Sequence, residues 1–135
     1  MSVIVTDNGF RSDDWTAGFI ARDDAPANGV YCVDIASDTA PDSLAQLVDA
    51  PMIRIDFPSF ADGRGFTLAA MLRRTGFKGR LRAKGHVIAD QYAMARRSGF
   101  DEVEIDDALA ARQPEDQWLF RADWQNHNYQ ARMRG

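Results

Sequence analysis

The stretch Phe57–Phe66, FPSFADGRGF, is the part of the chain best equipped for chemistry. It holds a proline, two glycines and an Asp-Gly pair, and it runs straight into a helical pattern. Free backbone amides at a helix start, together with the Arg64 guanidinium, would attract a small oxyanion. The anion-binding candidates are therefore Asp62, Gly63, Arg64 and Gly65 from this loop, with Arg82, Lys84 and His86 from the end of the next strand. Asp62 also suits a turn or helix cap, which uses the same unsatisfied amides. An enzyme could instead use Asp56, Asp62, Arg82, Lys84 and His86 as acid, base and anion clamp, in a pocket with perturbed pKa values. The segment Gly63–Leu68, GRGFTL, lacks the third glycine of a dinucleotide fingerprint, and the next strand ends in Lys84 rather than an acid. Neither a P-loop nor a nucleophile-elbow motif occurs.

Composition narrows the classes further. One cysteine, Cys32, excludes a disulfide framework, a CxxC redox pair and any multi-cysteine zinc or iron–sulfur site within the chain. Cys32 reads as a small core residue of a strand. His86 and His127 match no metal-ligand spacing. The N-terminus lacks the basic and apolar regions of a secretory signal, and no stretch approaches the about 18 apolar residues of a membrane span. A cytoplasmic protein without a membrane partner is expected. The length of 135 residues fits a single domain, 1–135. The net charge of −4 conceals a strong asymmetry. Residues 1–50 hold 2 basic and 9 acidic side chains, residues 51–100 hold 10 and 3, and residues 101–135 hold 4 and 8. The overall balance argues against general nucleic-acid binding, while the basic middle can still hold an anion.

The elements that must position these residues are strands alternating with helices. Strands are expected at Tyr31–Ile35, Met52–Phe57, Gly79–Lys84 and Glu102–Ile105. Helices are expected to start with Thr39 as N-cap, and to cover Phe66–Thr75, Val87–Ser98 and Asp106–Gln113. Val3–Val5 and Trp15–Ala21 could be short strands within an irregular N-terminal segment. The tail from Pro114, with Trp118, Phe120, Trp124 and Tyr129, resists assignment. RRTGFKGRLR and RRSGFDEVEI begin 23 residues apart, at Arg73 and Arg96. In each, a glycine (Gly76, Gly99) suits a left-handed helix stop and the following phenylalanine suits its apolar contact. Arg73, Arg74, Arg96 and Arg97 then oppose the helix dipole.

Side chains alternate between the faces of a strand. Ile53, Ile55, Leu81, Ala83, Val103 and Ile105 fall on one face; Arg54, Asp56, Arg80, Arg82, Lys84, Glu102 and Glu104 fall on the other. A doubly covered parallel sheet reads as continuous Val, Ile and Leu. The expected fold is therefore α/β: repeated βα units in a mainly parallel sheet, helices chiefly on one face, like half of a TIM barrel. The polar face, with Arg54, Asp56 and Arg80 as candidates, would be concave, covered by the aromatic terminal segments, or paired with a second subunit. Alternating signs also allow it to be salt-bridged to itself.

The stretch Phe57–Ile105 carries F-P-x-F-x-D-G-R-G, then L-R-x-x-G-[FY]-x-G-x-L-R-A, then D-Q at Asp90 and Gln91, then R-x-G-F-[DE]. In these motifs it resembles a bacterial family of unknown function labelled as oxidoreductases of sulfite reduction, whose genes typically lie beside those of assimilatory sulfite reductase. His86 stands where the family pattern prefers an acid. The resemblance implies a place in sulfur assimilation, with sulfite reductase or another sulfur-assimilation protein as partner. Two functions follow as expectations. One is an accessory protein that binds a sulfur oxyanion or docks on sulfite reductase. The other is an enzyme of sulfite reduction on the charged sheet face, where a bound cofactor or partner must carry the electrons.

Overall fold

A computed structural model describes residues 2–15, 19–21 and 32–122. Its centre is a seven-stranded sheet of β1 (Ser2–Thr6), β2 (Gly9–Arg11), β3 (Phe19–Ala21), β4 (Cys32–Ile35), β5 (Met52–Phe57), β6 (Arg80–Gly85) and β7 (Glu102–Asp106). The strand order is β2-β1-β7-β6-β5-β4-β3. From β3 to β7 all neighbours are parallel and follow chain order, whereas β1 joins β7 antiparallel and forms a hairpin with β2. Parallel crossovers are right-handed, so the chain order of β4 to β7 keeps the crossovers between them on one side of the sheet. That is the one-faced α/β arrangement expected from the residue pattern.

The registers show the separation of faces. Val33, Ile53 and Leu81 lie side by side, as do Ile35, Ile55, Ala83, Val103 and Val5. These residues share one core with Leu44, Leu47, Phe66, Leu68, Ala69, Leu72, Tyr92, Ala95, Leu109 and Trp118 from the helical segments. The neighbouring rows belong to the opposite face: Asp34, Arg54, Arg82 and Glu102 in one, Asp56, Lys84, Glu104 and Ile4 in the next.

The helical elements follow the expected pattern with informative differences. The first crossover is a 3-10 helix, Pro41–Leu47, with Ala40 rather than Thr39 at its N-cap. Three residues per turn place Leu44 above Leu47, and both are buried. Thr39 instead donates its hydroxyl hydrogen to the Ala36 carbonyl. Helix α1 spans Arg64–Thr75. The segment after β6 is split into a 3-10 turn, Ala89–Gln91, and helix α2, Tyr92–Ser98. The Gln91 side chain accepts from the Ile88 amide there. Helix α3 is Asp107–Arg112, capped by Asp106, whose carboxylate accepts from the Leu109 amide. Part of the aromatic tail forms helix α4, Glu115–Arg121. Its Trp118 is buried against Tyr92 in the apolar core, not on the charged face. Trp124, Tyr129 and His127 lie outside the described residues, as does Tyr31 at the expected start of β4.

The repeat ends α1 and α2 alike. Gly76 and Gly99 are left-handed, with φ of 115° and 117°. The Phe77 and Phe100 amides reach back to the Leu72 and Ala95 carbonyls, and both rings are buried. The four arginines divide. Arg73 donates to the carbonyls of Phe77, Gly79 and Gly99, stitching one repeat to the next, and Arg96 donates to Phe100 O and to Asp7. Arg74 and Arg97 are exposed.

Candidate functional site

The polar face of the sheet is an ionic lattice. Arg82, fully buried, donates Nε–H to Glu102 at 2.6 Å and Nη1–H to Glu104 at 2.9 Å. Its outer edge meets both oxygens of Asp13, at 3.0 and 2.9 Å. Arg54 clasps Asp34 at 2.6 and 2.7 Å and reaches Glu104 at 3.0 Å. Arg80 binds Glu102 at 2.8 and 3.0 Å and Asp14 at 2.6 Å. Arg11 of β2 adds a contact to Glu102 at 3.6 Å. Phe19 of β3 lies over the Arg54 guanidinium, 3.7 Å from carbon Cζ to ring centroid. The N-terminal segment thus covers part of this face with Asp13, Asp14 and Phe19.

The electrostatics follow from this pairing. Burial, the largest single influence, works against charge on Arg82, yet Asp13, Glu102 and Glu104 outweigh it and raise the pKa. Arg54 is raised in the same way, with Asp34 and Glu104 outweighing burial. Burial pushes Glu104 upward, but Arg82 and Arg54 hold it below the usual carboxylate value. Asp13 and Asp14 are lowered by their hydrogen bonds from Arg82 and Arg80. Buried charges persist where each has partners and its remaining hydrogen-bonding sites are filled. Arg54, Arg80 and Arg82 are therefore committed to neighbouring carboxylates.

The glycine loop is also closed on itself. Arg64 clamps Asp62 through Nε and Nη2, at 3.0 and 2.7 Å, and the Asp62 carboxylate accepts from the Arg64 amide. Ser37, at the end of β4, donates its hydroxyl hydrogen to Asp62 at 2.9 Å. The Arg64 hydrogen bonds hold the Asp62 carboxyl well below its ordinary range. Gly63 has open space where a Cβ would stand. A Cβ on Gly65 would come within 2.5 Å of the Phe57 ring, so this glycine lets α1 start against the core.

What remains is the C-terminal edge of β5, β6 and β7, where ligands bind in parallel βα folds. Lys84 is half-buried there and has no hydrogen bond or ion pair among the described residues. Its neighbours in register are Asp56 and Glu104. Two clefts meet at it. One, of about 220 Å³, is lined by Asp34, Ile35, Ala36, Arg54, Asp56 and Lys84. The other, of about 160 Å³, includes Ser2, Lys84, His86, Glu104, Asp106 and Arg112. His86 is exposed, with Nδ1 3.2 Å from the Phe57 carbonyl oxygen.

The fold thus brings Lys84, His86 and Asp56 to one edge, with the carboxylate-paired Arg54 in the wall of the first cleft, and leaves the others in separate structures. Arg82 lies within the lattice, and Asp62, Gly63, Arg64 and Gly65 form the Ser37-tied loop. Arg112 lies outside the sequence-based set. It closes the last turn of α3, where a cation reads simply as dipole complement. Only the packing of α3 beside β7 and β1 brings it to the Lys84 cleft. Cys32 is fully buried, and desolvation pushes its thiol up to about 12, which leaves it inert as a nucleophile.

Sheet order and site together define a one-faced α/β protein, with a charge-paired face and an open strand edge. The chain belongs to the family described as bacterial protein of unknown function (DUF934), which it matches over residues 32–135. That match takes in β4 to β7 and the Lys84 edge, whereas Asp13 and Asp14 precede it. No curated protein matches the chain, and no solved structure does. Among the described residues no helix is long and apolar enough to cross a membrane, and no group of three or more metal-ligating side chains converges.

Proposed function

We propose that this is an accessory protein of assimilatory sulfite reduction that holds a small sulfur oxyanion at the C-terminal edge of β5–β7. Lys84 is the principal cation, with Arg112 and His86 at the rim. One observation carries this reading: Lys84 has no ion pair among the described residues and stands between two clefts, on a face where Arg54, Arg80 and Arg82 are all matched by carboxylates. An uncommitted cation beside a cleft attracts an anion at little reorganisation cost. The place in sulfite reduction rests on the motif resemblance across Phe57–Ile105.

Thermal unfolding at low ionic strength, with sulfite, sulfate and phosphate added in turn, tests the binding. Wild type is expected to gain several degrees with at least one anion, and Lys84→Gln to gain none. Arg64→Ala, altered in the closed loop, is expected to respond as wild type does. A wild type indifferent to all three anions overturns the reading. Growth of a deletion strain tests the pathway: rescue by sulfide but not by sulfite is expected, and equal growth on sulfate, sulfite and sulfide refutes it.

A further inference from the structure

We infer that the Lys84–His86–Arg112 cleft holds its anion through one shared proton, and so selects oxyanions that carry an ionisable proton near neutrality over sulfate. This rests on the anion-binding reading above and adds the class of ligand. The decisive feature is how the imidazole is attached. Nδ1 of His86 lies 3.2 Å from the Phe57 carbonyl oxygen. A carbonyl oxygen only accepts, so Nδ1 must carry the hydrogen. The ring is steadied by an edge contact with Phe60, centroids 5.1 Å apart, and by the His86 amide donating to the same Phe57 carbonyl at 2.9 Å. Nε2 is left with no partner among the described residues. It offers a lone pair when the ring is neutral and an N–H when the ring is charged.

The groups around the cleft favour a ligand that brings a proton. Lys84 comes from β6, Glu104 and Asp106 from β7, and Arg112 from α3. Asp56, the penultimate residue of β5, stands next to Lys84, and Phe60 adds no charge. Glu104 already accepts from Arg54, Arg82 and Ser2, and Asp106 accepts from the Leu109 amide. These carboxylates repel an anion that has nothing to donate, while Lys84 and Arg112 supply the attraction. An oxyanion bearing an O–H donates to neutral Nε2. The same oxyanion without its proton accepts from the imidazolium. Both descriptions are one complex with one proton between nitrogen and oxygen. Sulfite and phosphate ionise near neutrality and supply that proton themselves over part of the range. Sulfate carries none and must wait for the imidazole to take one from solvent.

Isothermal titration of the full chain with sulfate, sulfite and inorganic phosphate, between about pH 6 and pH 8, separates the outcomes. Sulfate affinity is expected to fall steadily by about tenfold or more across that range, because binding takes up a proton. Sulfite and phosphate affinities are expected to vary less than sulfate affinity and to pass through a maximum, because a complex with one shared proton releases a proton on forming in acid and takes one up on forming in alkali. His86→Gln should flatten the sulfate profile while binding persists. A flat sulfate profile in wild type, or an unaltered one in His86→Gln, overturns the shared proton and leaves the anion site standing. Failure of all three anions to bind at any pH, or full binding by Lys84→Gln, overturns the anion site itself.

Discussion

Replacing Arg82 by methionine tests the ionic lattice most directly. The change keeps the apolar stem and removes hydrogen bonds to Glu102, Glu104 and Asp13. Glu102 keeps Arg80, and Glu104 keeps Arg54 and Ser2, so neither carboxylate is wholly orphaned. Both are buried, however, with side chains only 3% and 6% exposed, and water cannot replace the lost cation. Breaking a buried ion pair by removing one partner costs about 3–5 kcal/mol. For a chain of this size that lowers Tm by roughly 10–20 °C. The double variant Arg82→Met/Glu102→Met removes the stranded charge with its partner. It should recover at least half of the loss, since an apolar pair of similar volume is often as stable as a buried ion pair. Arg80 then retains Asp14 at the half-exposed edge. Differential scanning calorimetry on wild type, single and double variants measures all three. A single variant within about 2 °C of wild type would refute the reasoning, because it would mean that the lattice carries no net stability.

Three further outcomes are expected. Glu104, Asp13 and Asp14 have folded pKa values below their ordinary ones, so their stabilisation is complete above the usual carboxylate range and fades as pH falls through it. Tm should stay nearly level in neutral solution and drop in acid, and Arg82→Met should drop less steeply; the same slope in both would count against the pairing. Gly65→Ala should cost about 1–3 kcal/mol by pressing a methyl group onto Phe57, whereas Gly63→Ala, facing open space, should stay within about 0.5 kcal/mol. Chemical denaturation compares the two, and equal effects would contradict the close approach of α1 to β5. Cys32 should resist alkylation in the native state at neutral pH and react only after unfolding, because its thiol is buried and its pKa raised.

The charge asymmetry along the chain acquires its meaning in the sheet. Five arginines of the basic middle third, Arg54, Arg73, Arg80, Arg82 and Arg96, are matched by Asp7, Asp13, Asp14 and Asp34 from the acidic first third and by Asp101, Glu102 and Glu104 from the last. Parallel strands taken in chain order bring β4, β5, β6 and β7 side by side, so charges far apart in sequence stand opposite each other. Alternation along MIRIDF, RLRAKG and EVEID revealed the two faces without any structure, because the period of a strand is a local property. The helix stops at Gly76 and Gly99 were readable for the same reason.

The glycine loop illustrates the opposite case. From residue types alone FPSFADGRGF suits an oxyanion, yet Ser37, outside that stretch, supplies the contact that ties Asp62 and the Arg64 clamp in place. The antiparallel joining of β1 to β7 is equally absent from local pattern. It depends on Ser2–Val5 meeting Val103–Asp106 across the chain.

Local rules of alternation, capping and helix termination determined the α/β class, the one-sided helices and the strand faces. Which cations remain unpaired was decided only in three dimensions. Residue type makes every arginine and lysine an equal anion candidate, but electrostatic freedom depends on which carboxylates folding brings within a few ångströms. Folding paired Arg54, Arg64, Arg80 and Arg82 with carboxylates, left Lys84 without an ion pair among the described residues, and carried Arg112 to its side.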